Sequence, residues 1–84
     1  MDRARILTME EALDAMRPVI GFAGEWTDLT SYLPEAFRGD PQMRRSATAA
    51  TFAASLELAK EGHIALRQAE TIAPIQIRRD ERDG

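Results

Sequence analysis

The chain has 84 residues, 44% of them hydrophobic and 30% charged, with 11 basic and 14 acidic side chains and a formal net charge of -3. That size suits one small domain with an economical core, and the balance excludes a disordered chain as well as the strongly basic surface of a phosphate-driven nucleic-acid binder. The absence of cysteine and the single histidine exclude disulfides, thiolate chemistry and a transition-metal centre, and no apolar run reaches the ~20 residues of a membrane span, so a cytoplasmic protein is expected.

Met9, Ala12, Leu13 and Met16 recur at helical spacing, and Thr8 with Glu11 has the form of a capping box, so a first helix is expected over residues 8–17. Pro18 stops it, because proline disfavours helical geometry in the residue before it. The stretch VIGF, residues 19–22, is glycine-containing and apolar and is read as a short edge strand. TDLTSYL is read as a second, short helix with Thr27 as N-cap, ended by Pro34.

Asp40-Pro41 fits an N-cap followed by proline at the first helical position, and the Ala-, Leu- and Glu-rich stretch after it predicts a third helix over residues 41–61. Gly62 sits where a left-handed C-cap residue belongs. On a 100° wheel Ala49, Phe52, Ala53, Leu56 and Ala59 fall on one side, and Ala47, Ala50, Ala54 and Leu58 on the other. This helix is small or apolar on both sides, so either both are packed or one meets a partner.

Beyond Gly62 the period changes to two. Ile64 and Leu66 share one face, as do Ile75 and Ile77, which predicts two strands closed into a hairpin by AETIA. Residues 1–7 and 80–84 are expected to be flexible, with the ordered part over about residues 8–79. The order helix, strand, helix, helix, strand, strand gives the expected fold class: α+β, a winged helix of three helices on a small antiparallel sheet with a C-terminal hairpin wing.

No catalytic constellation is visible. Glu10, Glu11 and Asp14 suit the solvated face and first turn of the first helix, His63 lacks a second ligand, and Gly21 with Gly24 matches no phosphate-cradling pattern. Gln42, Arg44, Arg45, Ser46 and Thr48 give the third helix a weak resemblance to a DNA reader. Arg67, Arg78, Arg79 and Arg82 would be the wing's cations, but Glu70, Asp80, Glu81 and Asp83 offset them.

The residues Arg45-Ser46, Thr51-Phe52, Leu56-Glu57-Leu58, Gly62 and Leu66-x-Gln68 resemble the C-terminal signature of the bacterial kleisins, the segregation and condensation protein A family. WTDLTSYLP and EEALDAM are similar to the family's second and first helices, so the resemblance runs over about residues 8–79. It departs from the family at Ala53, Ser55 and Ala59, where larger aliphatics are common, and at Ile72-Ala73, where phenylalanine-glycine is common.

What the resemblance implies is a non-enzymatic winged-helix domain, without cofactor, from the C-terminal part of a longer kleisin. It would dock on the ATPase head of the structural maintenance of chromosomes (Smc) protein in chromosome condensation and segregation. Segregation and condensation protein B would bind through regions this chain does not contain, and the assembly would be associated with the nucleoid. The expected contacts are Met9, Leu13 and Met16 on the first helix and Ile75, Ile77 and Arg78 on the last strand, with Arg44 and Arg45 as electrostatic contacts. The alternative from another class is a winged-helix DNA-binding regulator.

Overall fold

A computed structural model describes residues 6–80. Within them the architecture is α+β, two α-helices and a small three-stranded antiparallel sheet. Helix α1 is Met9–Met16, capped as its sequence demands: Glu11 N–H donates to Thr8 Oγ1 at 3.1 Å, and Thr8 N–H donates to Glu11 Oε1 at 3.0 Å. Leu7, at the position before the cap, is buried together with Ala12 in one core cluster, the two positions of a hydrophobic staple. The flexible N-terminal stretch expected over residues 1–7 therefore does not include Leu7, while residues 1–5 and 81–84 lie outside the described part.

The segment expected as a strand at residues 19–22 is a 3-10 turn, Ile20–Phe22. Its backbone is satisfied locally: Val19 N–H donates to Met16 O, Phe22 N–H to Val19 O and Ala23 N–H to Ile20 O, at 3.0 to 3.1 Å. A strand needs those groups for its neighbour, so none forms here. The edge strand is instead β1, Thr27–Asp28, in the place given to the start of a second helix. Thr27 faces Ile77 in the ladder rather than capping a helix.

Asp28 takes the capping role instead, its Oδ1 accepting from both Thr30 N–H and Thr30 Oγ1 at 2.8 Å. It opens a single 3-10 turn, Leu29–Tyr32, and a second one, Glu35–Phe37, lies on the other side of Pro34. Leu33 is extended, as the residue before proline is biased to be, so the two turns cannot fuse into a helix. The expected second of three helices is thus a pair of 3-10 turns that still deliver Leu29, Leu33 and Phe37 to the core.

Helix α2 is Pro41–Lys60. Asp40 Oδ2 accepts Met43 N–H at 2.8 Å and Pro41 sits at the first position, where its missing N–H costs nothing. At the far end Gly62 has φ +88, the only positive φ among the described residues, and His63 N–H reaches Leu58 O while Gly62 N–H reaches Ala59 O. This is a Schellman motif, and it turns the chain from helix into strand within three residues.

Strands β2, Ile64–Gln68, and β3, Ile75–Arg79, form the expected hairpin, with Leu66 opposite Ile77 and Gln68 opposite Ile75. The sheet order is β1-β3-β2, so the last strand is central. Ile64 and Ile77 are buried with Met16, Leu58 and Phe37 in the single core between the sheet and the helices.

Candidate docking surface

The wheel left two sides of α2 open as candidates for burial, and α1 decides between them. Ala47, Thr51, Ala54, Ser55 and Leu58 are buried, spanning an arc of about 100°. Two of these are polar, but each hydroxyl is satisfied within the helix: Thr51 Oγ1 donates to Ala47 O and Ser55 Oγ to Thr51 O, both at 2.8 Å. Ser55 Oγ also lies 3.8 Å from Met16 Sδ, so the space beside this small side chain is filled from the other helix by a methionine.

The opposite side is only partly left to solvent, since Ala53 and Ala59 are half-buried. Phe52 is 36% and Leu56 49% exposed, one helical turn apart, with exposed Ala49 on the same side. Together with Leu66, Arg67, Gln68 and Ile75 of the hairpin they line an open groove of about 280 Å³ between α2 and the sheet. Gln68 holds the hairpin wall of this groove in shape: its Nε2 donates to Thr71 O and Ala73 O, both at 2.8 Å, bracing the turn from inside. That bracing gives a physical role to the Leu-x-Gln of the sequence.

On the outer face of the sheet, Trp26 is covered by two guanidinium groups, Arg67 at 4.3 Å and Arg78 at 5.1 Å from the ring centroid. Arg67 Nε also donates to Gln76 Oε1 at 2.8 Å. Each such cation–π contact is worth about 0.5–1 kcal/mol at an exposed site, so this face is tied together rather than open to a ligand.

The contact residues expected from the sequence divide into three groups. Met16 and Ile77 are fully buried and serve the core, because Met16 packs on Ser55 and Ile77 sits on the central strand; neither can touch a partner in the folded domain. Met9 is exposed, Leu13 and Ile75 are half-buried, and of these only Ile75 borders the groove. Arg78 is held against Trp26 on the other face of the sheet.

Arg44 and Arg45 line a second, larger concavity of about 480 Å³ at the start of α2, with Arg38, Gly39, Pro41 and Thr48. Sequence reasoning placed Phe52 and Leu56 on a candidate face but passed over them as contacts, and missed Arg38 and Trp26 altogether. The exposed pairing of Phe52 and Leu56 at a spacing of four was the signal available.

Among the described residues no helix is long and apolar enough to cross a membrane. Comparison of the chain with protein-family models, curated proteins and solved structures finds no match.

Proposed function

We propose that the chain is a protein-docking module of the winged-helix kind, corresponding to the C-terminal domain of a bacterial kleisin, segregation and condensation protein A, and that it binds the Smc ATPase head without chemistry of its own. The observation that carries the reading is the groove in which Phe52, Leu56, Leu66 and Ile75 meet solvent. A small domain gains by burying its large apolar side chains, so a phenylalanine and a leucine exposed side by side beside a groove support the reading of a surface for another protein. The two α-helices, the three-stranded sheet and the C-terminal hairpin are compatible with the winged-helix part of the proposal.

The contact surface proposed is therefore α2 with the hairpin, with Met9 of α1 as an outlying exposed apolar residue, in place of the full length of α1. Titrating the domain against a purified Smc head tests this: saturable binding at micromolar concentration is expected, and its absence sinks the docking role.

The DNA-binding alternative would combine Arg44, Arg45, Arg78 and Arg79 on one surface. Arg78 is stacked on Trp26, Arg79 Nη1 donates to Gly21 O at 3.3 Å, and the cavity that holds Arg44 and Arg45 includes neither. A low-salt gel shift with duplex DNA separates the readings, since a kleisin-type docking domain leaves the duplex unshifted.

A further inference from the structure

The groove alone is a modest binding site. Four partly exposed apolar side chains offer at most about 1.5–3 kcal/mol each on full burial. Association costs about 4–15 kcal/mol in lost freedom, which roughly cancels that gain, so a second attachment point would strengthen the hold on a partner.

The arginine-lined cavity lies in line with the groove on the same helix. At 100° per residue Arg45, Phe52 and Leu56 project within about 40° of one another, and Ala49 and Thr48 fill the interval without a large side chain. From Arg45 to Leu56 this continuous face is about 16 Å long.

The three guanidinium groups are differently prepared. Arg38 is fixed from behind, its Nε donating to Leu33 O at 3.0 Å and its Nη2 to Ser31 O at 2.8 Å. Arg44 and Arg45 have no ion pair and no side-chain hydrogen bond with any described residue. The neighbouring carboxylate of Asp40 is turned to the helix N–H of Met43. Gly39 has nothing within 4 Å of the place a Cβ would take, so packing does not fill the opening there.

Arginine forks match carboxylates and phosphates in two-point geometry. Nucleic acid is the poorer occupant: its phosphates need cations spread along a track, yet Arg67, Arg78 and Arg79 are already engaged elsewhere, and the net charge of -3 repels a long polyanion. A short acidic peptide meets only the local field, because charges more than about 8–10 Å away are screened at physiological salt.

We propose that the Arg38, Arg44 and Arg45 cavity is a carboxylate-binding subsite that takes an acidic segment of the protein partner, whose neighbouring apolar residues enter the Phe52 and Leu56 groove. The proposal deepens the docking reading, from which it takes the class of partner. Its probes contain no Smc head, so the two can fail separately.

Fluorescein-labelled hexaglutamate is titrated with the 84-residue chain at low salt and followed by anisotropy, with inorganic phosphate and a short DNA duplex as competitors. Saturable binding is expected, displaced by unlabelled hexaglutamate better than by phosphate or duplex. The double variant Arg44→Gln/Arg45→Gln, at exposed positions that leave the core untouched, is expected to weaken it by about tenfold or more. The control Lys60→Gln, the same kind of charge loss at the other end of α2, should change it by no more than roughly twofold. No saturable binding, or equal losses in both variants, overturns the proposal. Preferential binding of the duplex that Arg44→Gln/Arg45→Gln abolishes overturns it in favour of nucleic acid.

Discussion

Arg17, just past the end of α1, and Glu61, at the end of α2, clasp the two helices together at one end: Nη1 donates to Oε1 at 3.2 Å and Nη2 to Oε2 at 3.4 Å. The hydrogen bond from Arg17 holds the Glu61 carboxyl below its ordinary value of 4.5, with the guanidinium charge adding to the effect, and the same bond raises Arg17. A carboxylate whose pKa is lower folded than unfolded stabilises the fold above its unfolded value. That contribution is lost as pH falls through the folded value.

The melting temperature of Arg17→Ala should therefore lie below that of the parent near neutrality, and the margin should shrink below about pH 4. Parallel thermal melts followed by circular dichroism check this. A margin that persists undiminished in acid would mean that Arg17 acts through its stem rather than through Glu61.

Ser55 marks how closely α1 and α2 approach. Ser55→Leu, a larger side chain at this close approach, must displace Met16 and should cost about 1–3 kcal/mol, the usual penalty of overpacking. Ser55→Ala removes a hydroxyl that is satisfied by its own helix and should cost about 1 kcal/mol or less. Urea denaturation of the two variants gives the comparison. A Ser55→Leu protein as stable as the parent would show that the helices can separate freely at that point.

Gln68 reaches two carbonyls from one amide nitrogen. Gln68→Glu keeps the size of the side chain but removes both donors and sets a carboxylate against the two oxygens. The hairpin should lose protection against hydrogen exchange at Ile75 and Ile77, at a cost of about 1–2 kcal/mol, while the amides in the middle of α2 keep theirs. Uniform loss across the domain would instead mean that the turn has no stability of its own to lose.

Leu56→Asp separates the exposed face of α2 from the core. At a 49% exposed position it should change stability by only about 0.5 kcal/mol, yet place an unpaired charge in the groove and, on the docking function proposed above, weaken binding of the Smc head by about tenfold or more. Melting temperature and head affinity measured on the same preparation test both halves of this statement.

The two long helical stretches and the hairpin were legible because each carries a repeating pattern closed by specific residues: Thr8 with Glu11, Asp40 with Pro41, and Gly62 before the change to period two. The middle of the chain was not. A strand of two residues, Thr27–Asp28, is shorter than one period of any pattern, and the choice between a helix and a 3-10 turn at Leu29–Tyr32 depends on how Asp28 and Pro34 bracket it. The site was half legible. Alanines on both sides of α2 left the wheel undecided, and the packing of Met16 against Ser55, a contact between residues distant in sequence, settles which side stays open.

The sheet order has a consequence for how the domain is made. Of the three described strands β3 leaves the ribosome after the other two, and it is the one that both β1 and β2 need as a neighbour. A nascent chain that has emerged through β2 can wind α1 and α2 but has no ladder to close, and Ile77, the residue facing both Thr27 and Leu66, has not yet arrived. During synthesis the exposed face of α2 therefore exists before the core that supports it, and the groove takes its shape only with the final residues of the sheet.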